Sequence, residues 1–157
     1  MSRTSQAAIA NAFTLRPATP ADAEAVAHLH RLTFDATYPD FPKLHGPEED
    51  LRHFDAVIKS RPVLVAEQDG RIVGYCAFGN GWVDDLYVHP AFQTRGIGSR
   101  LLAEAQKANP ELQLWTFQAN ANARAFYEKH GFVPVEETDG SGSEEKQPDI
   151  RFRWRQN

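Results

Sequence analysis

Six residues in the middle of the chain, Gln93 to Gly98, combine glycine and arginine in a pattern suited to binding phosphate. A strand-like run ends just before them at His89-Pro90, and a helix-like run from Ser99 to Ala108 follows. A turn between a strand and a helix presents unpaired N–H groups and the positive end of the helix dipole, which together hold phosphate oxygens. Gly96 and Gly98 lack a Cβ atom, so a ligand can approach the backbone closely. The segment therefore predicts a phosphate-binding loop, the alternative being a tight turn that binds nothing.

Two common phosphate loops do not fit this segment. A nucleoside-triphosphate loop has the form G-x-x-x-x-G-K-S/T, and no Lys-Ser or Lys-Thr pair follows the glycines here. A dinucleotide loop of the form G-x-G-x-x-G needs a third glycine where this chain has Leu101. The pattern that remains is Q-x-x-G-x-G after a strand.

A second motif begins at Asn120 and reads N-x-x-A-x-x-F-Y-E-K-x-G-F. Asn120 is a favourable helix N-cap, and Gly131 is a favourable residue to end the helix. Asn120, Tyr127 and His130 recur at helical spacing and share one face, with about 10 Å of rise between the first two. An elongated ligand along that face would contact both Asn120 and Tyr127. The alternative is that Tyr127 is an aromatic core residue and Asn120 only caps the helix.

The two motifs, in this order, resemble those of the GNAT superfamily of acyl-CoA-dependent N-acetyltransferases. The resemblance extends from about Phe13 to Arg155. It implies an α/β (α+β) GNAT fold, a mixed twisted sheet of about six to seven strands with about four helices on both faces. In that fold two central parallel strands splay apart and hold acetyl-CoA, the co-substrate, between them.

The resemblance also implies which residues bind the co-substrate. The loop would hold the pyrophosphate, the preceding strand would pair through its backbone with the pantetheine arm, and the Val88 N–H would polarise the thioester carbonyl. The implied cofactor-binding residues are Leu86, Tyr87, Val88, Gln93, Thr94, Arg95, Gly96, Ile97, Gly98, Ser99, Asn120, Asn122 and Tyr127.

Three residues are candidates for proton transfer. Tyr127 is the candidate general acid, because a phenol with a pKa of about 10 stays protonated while a thiolate with a pKa of about 8.5 departs. Asp84 and Asp85 are adjacent in a strand and point to opposite faces, so at most one faces the acceptor. Asp85 is preferred as the base, because Leu86 and Val88 on the other face have the character of core residues. Two alternatives stay open: neither aspartate has a chemical role, or ordered water serves without a dedicated base.

The elements that must position these residues can be predicted from periodicity and turn signals. The first helix is alanine-rich, with Ala25, Leu29 and Leu32 near one face, and Asp69-Gly70 indicates a hairpin turn. The predicted strands are Phe13–Arg16, Val63–Glu67, Arg71–Phe78, Trp82–Val88, Leu112–Phe117, Val133–Val135 and Ile150–Trp154, and the predicted helices are Ala21–Phe34, Pro47–Ile58, Ser99–Ala108 and the one that Asn120 begins.

Length and composition indicate one domain. The chain has 157 residues, enough for one well-buried core, and we expect a single domain over 13–157 behind a frayed tail over 1–12. The net charge of −4 argues against non-specific nucleic-acid binding. Because no apolar run could span a bilayer and no secretion signal begins the chain, we expect a cytoplasmic protein. Cys76, the only cysteine, is expected to be a buried and inert thiol.

The acceptor site is expected between the first two helices and along the loop Thr37–Gly46 that joins them. The chain end reads T-D-G-S-G-S-E-E-K-Q-P-D-I-R-F-R-W from Thr138, which resembles a GNAT subgroup with T-D-G-x-x-N-E-E-x-x-P-D-x-x-Y-x-W. Ser143 replaces the asparagine of that pattern and Phe152 the tyrosine, and these departures weaken any carry-over of acceptor contacts. The acidic stretch Glu136–Gln147, which is predicted to be a flexible loop between the last two strands, favours a cationic or amine acceptor unless it is simply solvated. No H-E-x-x-H or C-x-x-C pattern indicates a metal site.

These observations favour an N-acetyltransferase that transfers an acetyl group from acetyl-CoA to a primary amine of a small molecule or a protein. The amine would attack the thioester directly, with Tyr127 as general acid. The alternative is an acyl-CoA-binding sensor or regulatory module without turnover. A homodimer would suit the family, and Phe152 and Trp154 on the last strand would be available for its interface. The identity of the acceptor and the acyl-chain preference stay open.

Overall fold

The computed structural model describes residues 12–157, so the predicted tail lies outside the described residues except for Ala12. This part of the chain contains seven strands and four α-helices. The strands are β1 (Thr14–Pro17), β2 (Val63–Gln68), β3 (Arg71–Gly79), β4 (Trp82–Val88), β5 (Glu111–Phe117), β6 (Val133–Glu137) and β7 (Asp149–Arg155), and the helices are α1 (Ala23–Thr37), α2 (Pro47–Ser60), α3 (Ile97–Ala108) and α4 (Ala121–Lys129).

The strands form one mixed sheet in the order β1-β2-β3-β4-β5-β7-β6. All neighbours are antiparallel except β4 and β5, which are parallel and pair only at Trp82 and Gln113. Beyond that single pair the two strands diverge, leaving β4 with an open edge over most of its length. The predicted fold, a mixed sheet with splayed central parallel strands, is confirmed.

Helices cover both faces of the sheet. On one face α1 and α2 pack Val26 and Phe54 against Tyr75 of β3. On the other face α3 and α4 bury Leu101 and Tyr127 in a cluster that extends from Ala66 of β2 to Phe152 of β7. The gap between β4 and β5 is therefore the place where a group held on one face can reach a group held on the other.

On α1, Leu29 is buried together with Val26, whereas Ala25 and Leu32, which share a face with Leu29, are exposed. The expectation that Phe152 is available for a dimer interface is wrong. Phe152 is fully buried, and β7 lies between β5 and β6 rather than at an edge. Phe152 therefore cannot serve a dimer interface.

None of the helices within 12–157 has the length and apolar character needed to cross a bilayer.

Candidate active site

Within residues 12–157, the edge of β4 that faces β5 has a strand partner only at Trp82, so its other outward N–H groups are not paired in the sheet. His89 donates its N–H to the Val73 carbonyl on the β3 side at 2.8 Å, and Val88 stands opposite Gly74 in the ladder. Because successive N–H groups of a strand point to opposite edges, the N–H groups of Val88 and Leu86 point away from β3 and into the gap. These groups can pair with amides of an extended ligand, as predicted for the pantetheine arm.

The predicted phosphate loop lies where β4 ends and α3 begins. Gly96 is the N-cap residue, with φ of 86°, and no side chain caps the first N–H groups of α3. Thr94 also has a positive φ, of 65°. A Cβ atom built on Gly96 would meet no atom within 4 Å, so open space lies in front of the helix N-terminus. Uncapped N–H groups facing open space suit the oxygens of a pyrophosphate.

Of the remaining loop residues, some are exposed to solvent and one is buried in the core. Gln93, Thr94 and Arg95 are exposed, and the Gln93 side-chain amide donates to the Val88 carbonyl at 3.0 Å. Ile97 is buried in the core, so only its backbone can serve a ligand. The Ser99 hydroxyl lies 3.0 Å from His130 Nε2, which ties the start of α3 to the end of α4.

Both polar atoms of the Asn120 side-chain amide form hydrogen bonds. Its Oδ1 accepts from the Ala123 N–H at 3.0 Å, as an N-cap does, and its Nδ2 donates to the Tyr38 hydroxyl at 2.7 Å. Tyr38 follows α1 and packs its ring 5.1 Å from Phe117 at the end of β5. Asn122 is exposed on the first turn of α4. The motif that begins at Asn120 could not indicate the contact with Tyr38, because the two residues are 82 positions apart in the sequence.

A cavity of about 570 Å³ brings together three of the predicted cofactor-binding residues. It lies between the loop after α1, the end of β4 and the start of α4. Its lining includes Gln93, Asn120 and Asn122 together with Tyr38, Phe41 and Pro90.

Tyr127 is buried, with 8% of its surface exposed. Its ring contacts those of Phe126 at 5.3 Å and Phe132 at 5.6 Å. Within residues 12–157 no group forms a hydrogen bond with its hydroxyl. Burial raises the pKa of Tyr127 above its usual range, with a smaller contribution from the Cys76 side chain. The hydroxyl therefore stays protonated at neutral pH and is free to donate.

The side chains of Asp84 and Asp85 lie in different environments because a β-bulge interrupts β4 at Asp84. Val83 pairs with Phe78 and Asp85 pairs with Ala77, so Asp84 is the extra residue. Asp84 is exposed and forms an ion pair with Arg61 at 2.9 Å. Asp85 is half-buried, and burial, followed by the charge of Asp84, raises its pKa to about 7. A carboxylate with that pKa is suited to accept a proton at neutral pH.

Two residues beside Asp85 were missed by the sequence analysis. Tyr75 is fully buried on β3, and its hydroxyl lies 2.8 Å from His30 Nδ1 on α1. Tyr75 is a diagonal neighbour of Asp85 in the ladder, and its hydroxyl lowers the pKa of the Asp85 carboxyl. His30 and Tyr75 belong to neither of the two sequence motifs, and no spacing rule connects positions 30, 75 and 85.

A second cavity, of about 350 Å³, lies between α1, α2 and the β6–β7 loop (residues 138–148). This is the region where the acceptor site is expected. The residues that line it are His30, Arg31, Phe34, Pro42, Leu44, His45, Glu49, Asp50, His53, Phe54, Glu144 and Glu145.

Negative charge dominates this second cavity. Arg31, its only arginine or lysine, is neutralised by Asp50 through two hydrogen bonds of 2.9 Å. His45 bridges Glu49 at 2.7 Å and Glu144 at 2.6 Å, and the contact with Glu49 raises the pKa of His45. Glu145 is half-buried and has no ion-pair partner within residues 12–157.

Comparison with known proteins identifies the family. A model of the acetyltransferase (GNAT) domain matches residues 59–134. An N-acetyltransferase from Archaeoglobus fulgidus is 30% identical over 116 residues, which are 62% of this chain and 78% of that protein. The chain belongs to the GNAT family. Alignments of this GNAT chain with the next two curated relatives span 57% and 44% of their lengths.

Solved structures of GNAT proteins share the fold. The apo form of YjaB from Escherichia coli superposes with a TM-score of 0.76 at 20% identity, over 93% of this chain and 99% of that one. PaiA N-acetyltransferase from Thermoplasma acidophilum, in complex with coenzyme A, superposes with a TM-score of 0.72 at 23% identity, over 92% and 99%. With its family and fold established, this GNAT chain is an acetyl-CoA-dependent acyltransferase.

Proposed function

We propose that this enzyme transfers the acetyl group of acetyl-CoA to the primary amine of a cationic acceptor by direct attack. The observation that carries the proposal is the divergence of β4 from β5, which within residues 12–157 leaves the N–H groups of Leu86 and Val88 without a strand partner. Asp85 lies on β4, and its charge contributes to the raised pKa of Tyr127. A base on one side and an acid on the other suit amine attack and thiolate departure.

The residues present fit acetyl-CoA, which when bound supplies an acetyl group activated as a thioester. The N–H groups at the start of α3, beyond Gly96, would hold the pyrophosphate. Leu86 and Val88 would bind the pantetheine amides through the open edge of β4. The Val88 N–H would also stabilise negative charge on the thioester oxygen as the amine attacks.

Proton transfers are assigned to Asp85 and Tyr127. Asp85 accepts a proton from the acceptor ammonium, because its raised pKa of about 7 makes it a stronger base than an ordinary carboxylate. Tyr127 donates its hydroxyl proton to the departing sulfur, because no protein group competes for it within the described residues. Asp84 is occupied by Arg61 and has no direct role in this proposal.

Tyr127→Phe is expected to lower kcat by about 100-fold, because the departing thiolate loses its proton donor. The affinity for acetyl-CoA, measured by isothermal titration, should stay close to that of the wild type, since the ring contacts with Phe126 and Phe132 are retained. A wild-type rate in this variant would reduce Tyr127 to a packing residue.

The acceptor would enter through the 350 Å³ cavity, whose carboxylates favour a cation. Glu145 is the carboxylate best placed to bind a second positive charge, because its own charge is not neutralised by an ion pair. Its charge also contributes to the raised pKa values of Tyr38 and Tyr87.

Glu145→Gln is expected to raise KM for an α,ω-diamine by about tenfold, the loss of one charged contact. KM for the alkyl monoamine of equal length should change little, because it has no second charge to lose. Glu137→Gln, an exposed glutamate on β6, is the matched control. An equal rise of KM for both amines, or none for either, would remove Glu145 from acceptor recognition.

The decisive experiment is isothermal titration with acetyl-CoA combined with a free-thiol release assay over a panel of amines. Micromolar binding together with amine-dependent thiol release would support the proposal. Binding without release for any amine would favour the sensor alternative. No binding would contradict the assignment of the phosphate loop.

A further inference from the structure

A row of polar contacts runs from the acceptor cavity to Asp85. His30 of α1 lines the cavity, and its Nδ1 lies 2.8 Å from the Tyr75 hydroxyl on β3. The Tyr75 hydroxyl in turn interacts with the Asp85 carboxylate on β4. The ladder pairs Tyr75 with Tyr87 and Ala77 with Asp85, so Tyr75 and Asp85 are diagonal neighbours on one face of the sheet.

The hydrogen positions along this row follow from what each group can donate. Burial lowers the pKa of His30 to about 4, so its imidazole is neutral and carries a single N–H. The Tyr75 hydroxyl has one proton, and an ionised Asp85 can only accept. All three groups are satisfied when His30 Nδ1–H donates to Tyr75 and the Tyr75 hydroxyl donates to Asp85.

We propose that Tyr75 is a positioning residue for Asp85 and that His30 orients the Tyr75 hydroxyl toward it. The proposal rests on the proposed function, in which Asp85 is the base of acetyl transfer. A donor fixed against one carboxylate oxygen leaves the other oxygen for the acceptor ammonium. The same donor stabilises the ionised form of the carboxylate, which burial destabilises.

Other charged and titratable groups act on this row. On its own strand Asp85 has Asp84, whose charge opposes ionisation, and Arg61 before β2 favours it. Around His30 the charges of Arg31 and Asp50 act in opposite directions. The remaining groups are His53 and Asp35 at His30, with Tyr87 and Cys76 at Tyr75. Among the groups within residues 12–157 that act on Asp85, Asp84 and Arg61 act through their charges, whereas Tyr75 acts through its hydroxyl.

A purely structural role for Tyr75 makes a different prediction. Its ring packs 5.6 Å from Phe54 and 5.8 Å from Tyr87, and phenylalanine would preserve both contacts. If Tyr75 only packs, removing its hydroxyl would change thermal stability but not the protonation of Asp85. The pKa of Asp85 therefore separates positioning from packing.

The experiment is a carboxyl-carbon NMR titration of the free protein with ¹³C-labelled aspartate, the Asp85 signal being assigned by its loss in Asp85→Asn. In Tyr75→Phe the pKa of Asp85 is expected to rise by about one unit, the effect of one hydrogen bond to a charged group. His30→Leu should raise it by a smaller amount. His28→Leu, on the exposed side of the same helix, is the matched control and should leave it unchanged.

The pH profile of kcat is measured on the same variants to separate this inference from the proposed function. An unchanged or lower pKa of Asp85 in a folded Tyr75→Phe protein would overturn the positioning role. A raised pKa accompanied by an equal shift of the acid limb of kcat would support both proposals. A raised pKa without any shift of kcat would leave Tyr75 in its positioning role and would remove Asp85 as the base.

Discussion

Gly96→Glu is expected to reduce the affinity for acetyl-CoA by at least about 100-fold, to the point where titration detects no binding. A Cβ atom at this position would enter open space in front of the α3 N-terminus, so the added carboxylate would occupy the place proposed for the pyrophosphate. Its charge would also occupy the positive end of the helix and repel phosphate oxygens. Isothermal titration with acetyl-CoA measures the effect.

The matched control for this substitution is Gly70→Glu in the β2–β3 turn. Gly70 has φ of 76°, close to the 86° of Gly96, and a Cβ atom there also meets nothing within 4 Å. The two variants therefore carry the same charge and comparable backbone strain. If both bind acetyl-CoA normally, the phosphate-loop assignment is wrong, and if both lose binding, the cause is the fold rather than the loop.

The features that the sequence predicted well are local. The strand Trp82–Val88 has the same bounds in the structure, and the helix predicted over Ser99–Ala108 begins two residues earlier, at Ile97, directly after its N-cap Gly96. Each depends on residues within a few positions of one another, where spacing alone carries the information. The resemblance added the splay of β4 and β5, which no local pattern specifies.

The features that were missed depend on distant pairs or on a break in periodicity. Tyr38 meets Asn120 across 82 residues, and His30 meets Tyr75 across 45. The bulge at Asp84 inserts one residue into the alternation of β4, so Val83 lies on the same side as Leu86 in the core rather than opposite it. A strict period of two residues could not reveal that Asp84 stands apart from the regular ladder.

Asp85→Asn is expected to lower kcat by about 100-fold or more and to abolish the acid limb of its pH profile. In the wild type that limb should have its midpoint near the Asp85 pKa of about 7, because only the ionised carboxylate can accept the proton. Asparagine keeps an oxygen that can accept from Tyr75, so the contact with β3 survives. Steady-state kinetics at saturating substrates from pH 5 to about 9 measures both effects.

Stability should move in the opposite direction to activity in the same variant. The pKa of Asp85 is raised on folding, so the folded protein loses stability as the pH rises from the unfolded value of about 3.9 to the folded value of about 7. Asparagine does not ionise and escapes this loss. The melting temperature of Asp85→Asn should therefore be higher than that of the wild type at pH 8, and the two melting temperatures should be nearly equal at pH 4.

Asp84→Asn is the control that separates the two neighbouring carboxylates. It removes the charge that opposes ionisation of Asp85, so the acid limb should move to lower pH while most of kcat is kept. If Asp85→Asn instead retains both kcat and the acid limb, ordered water takes the proton and no dedicated base exists. If Asp84→Asn shows the large loss and Asp85→Asn does not, the base is the carboxylate that the bulge exposes, despite its ion pair with Arg61.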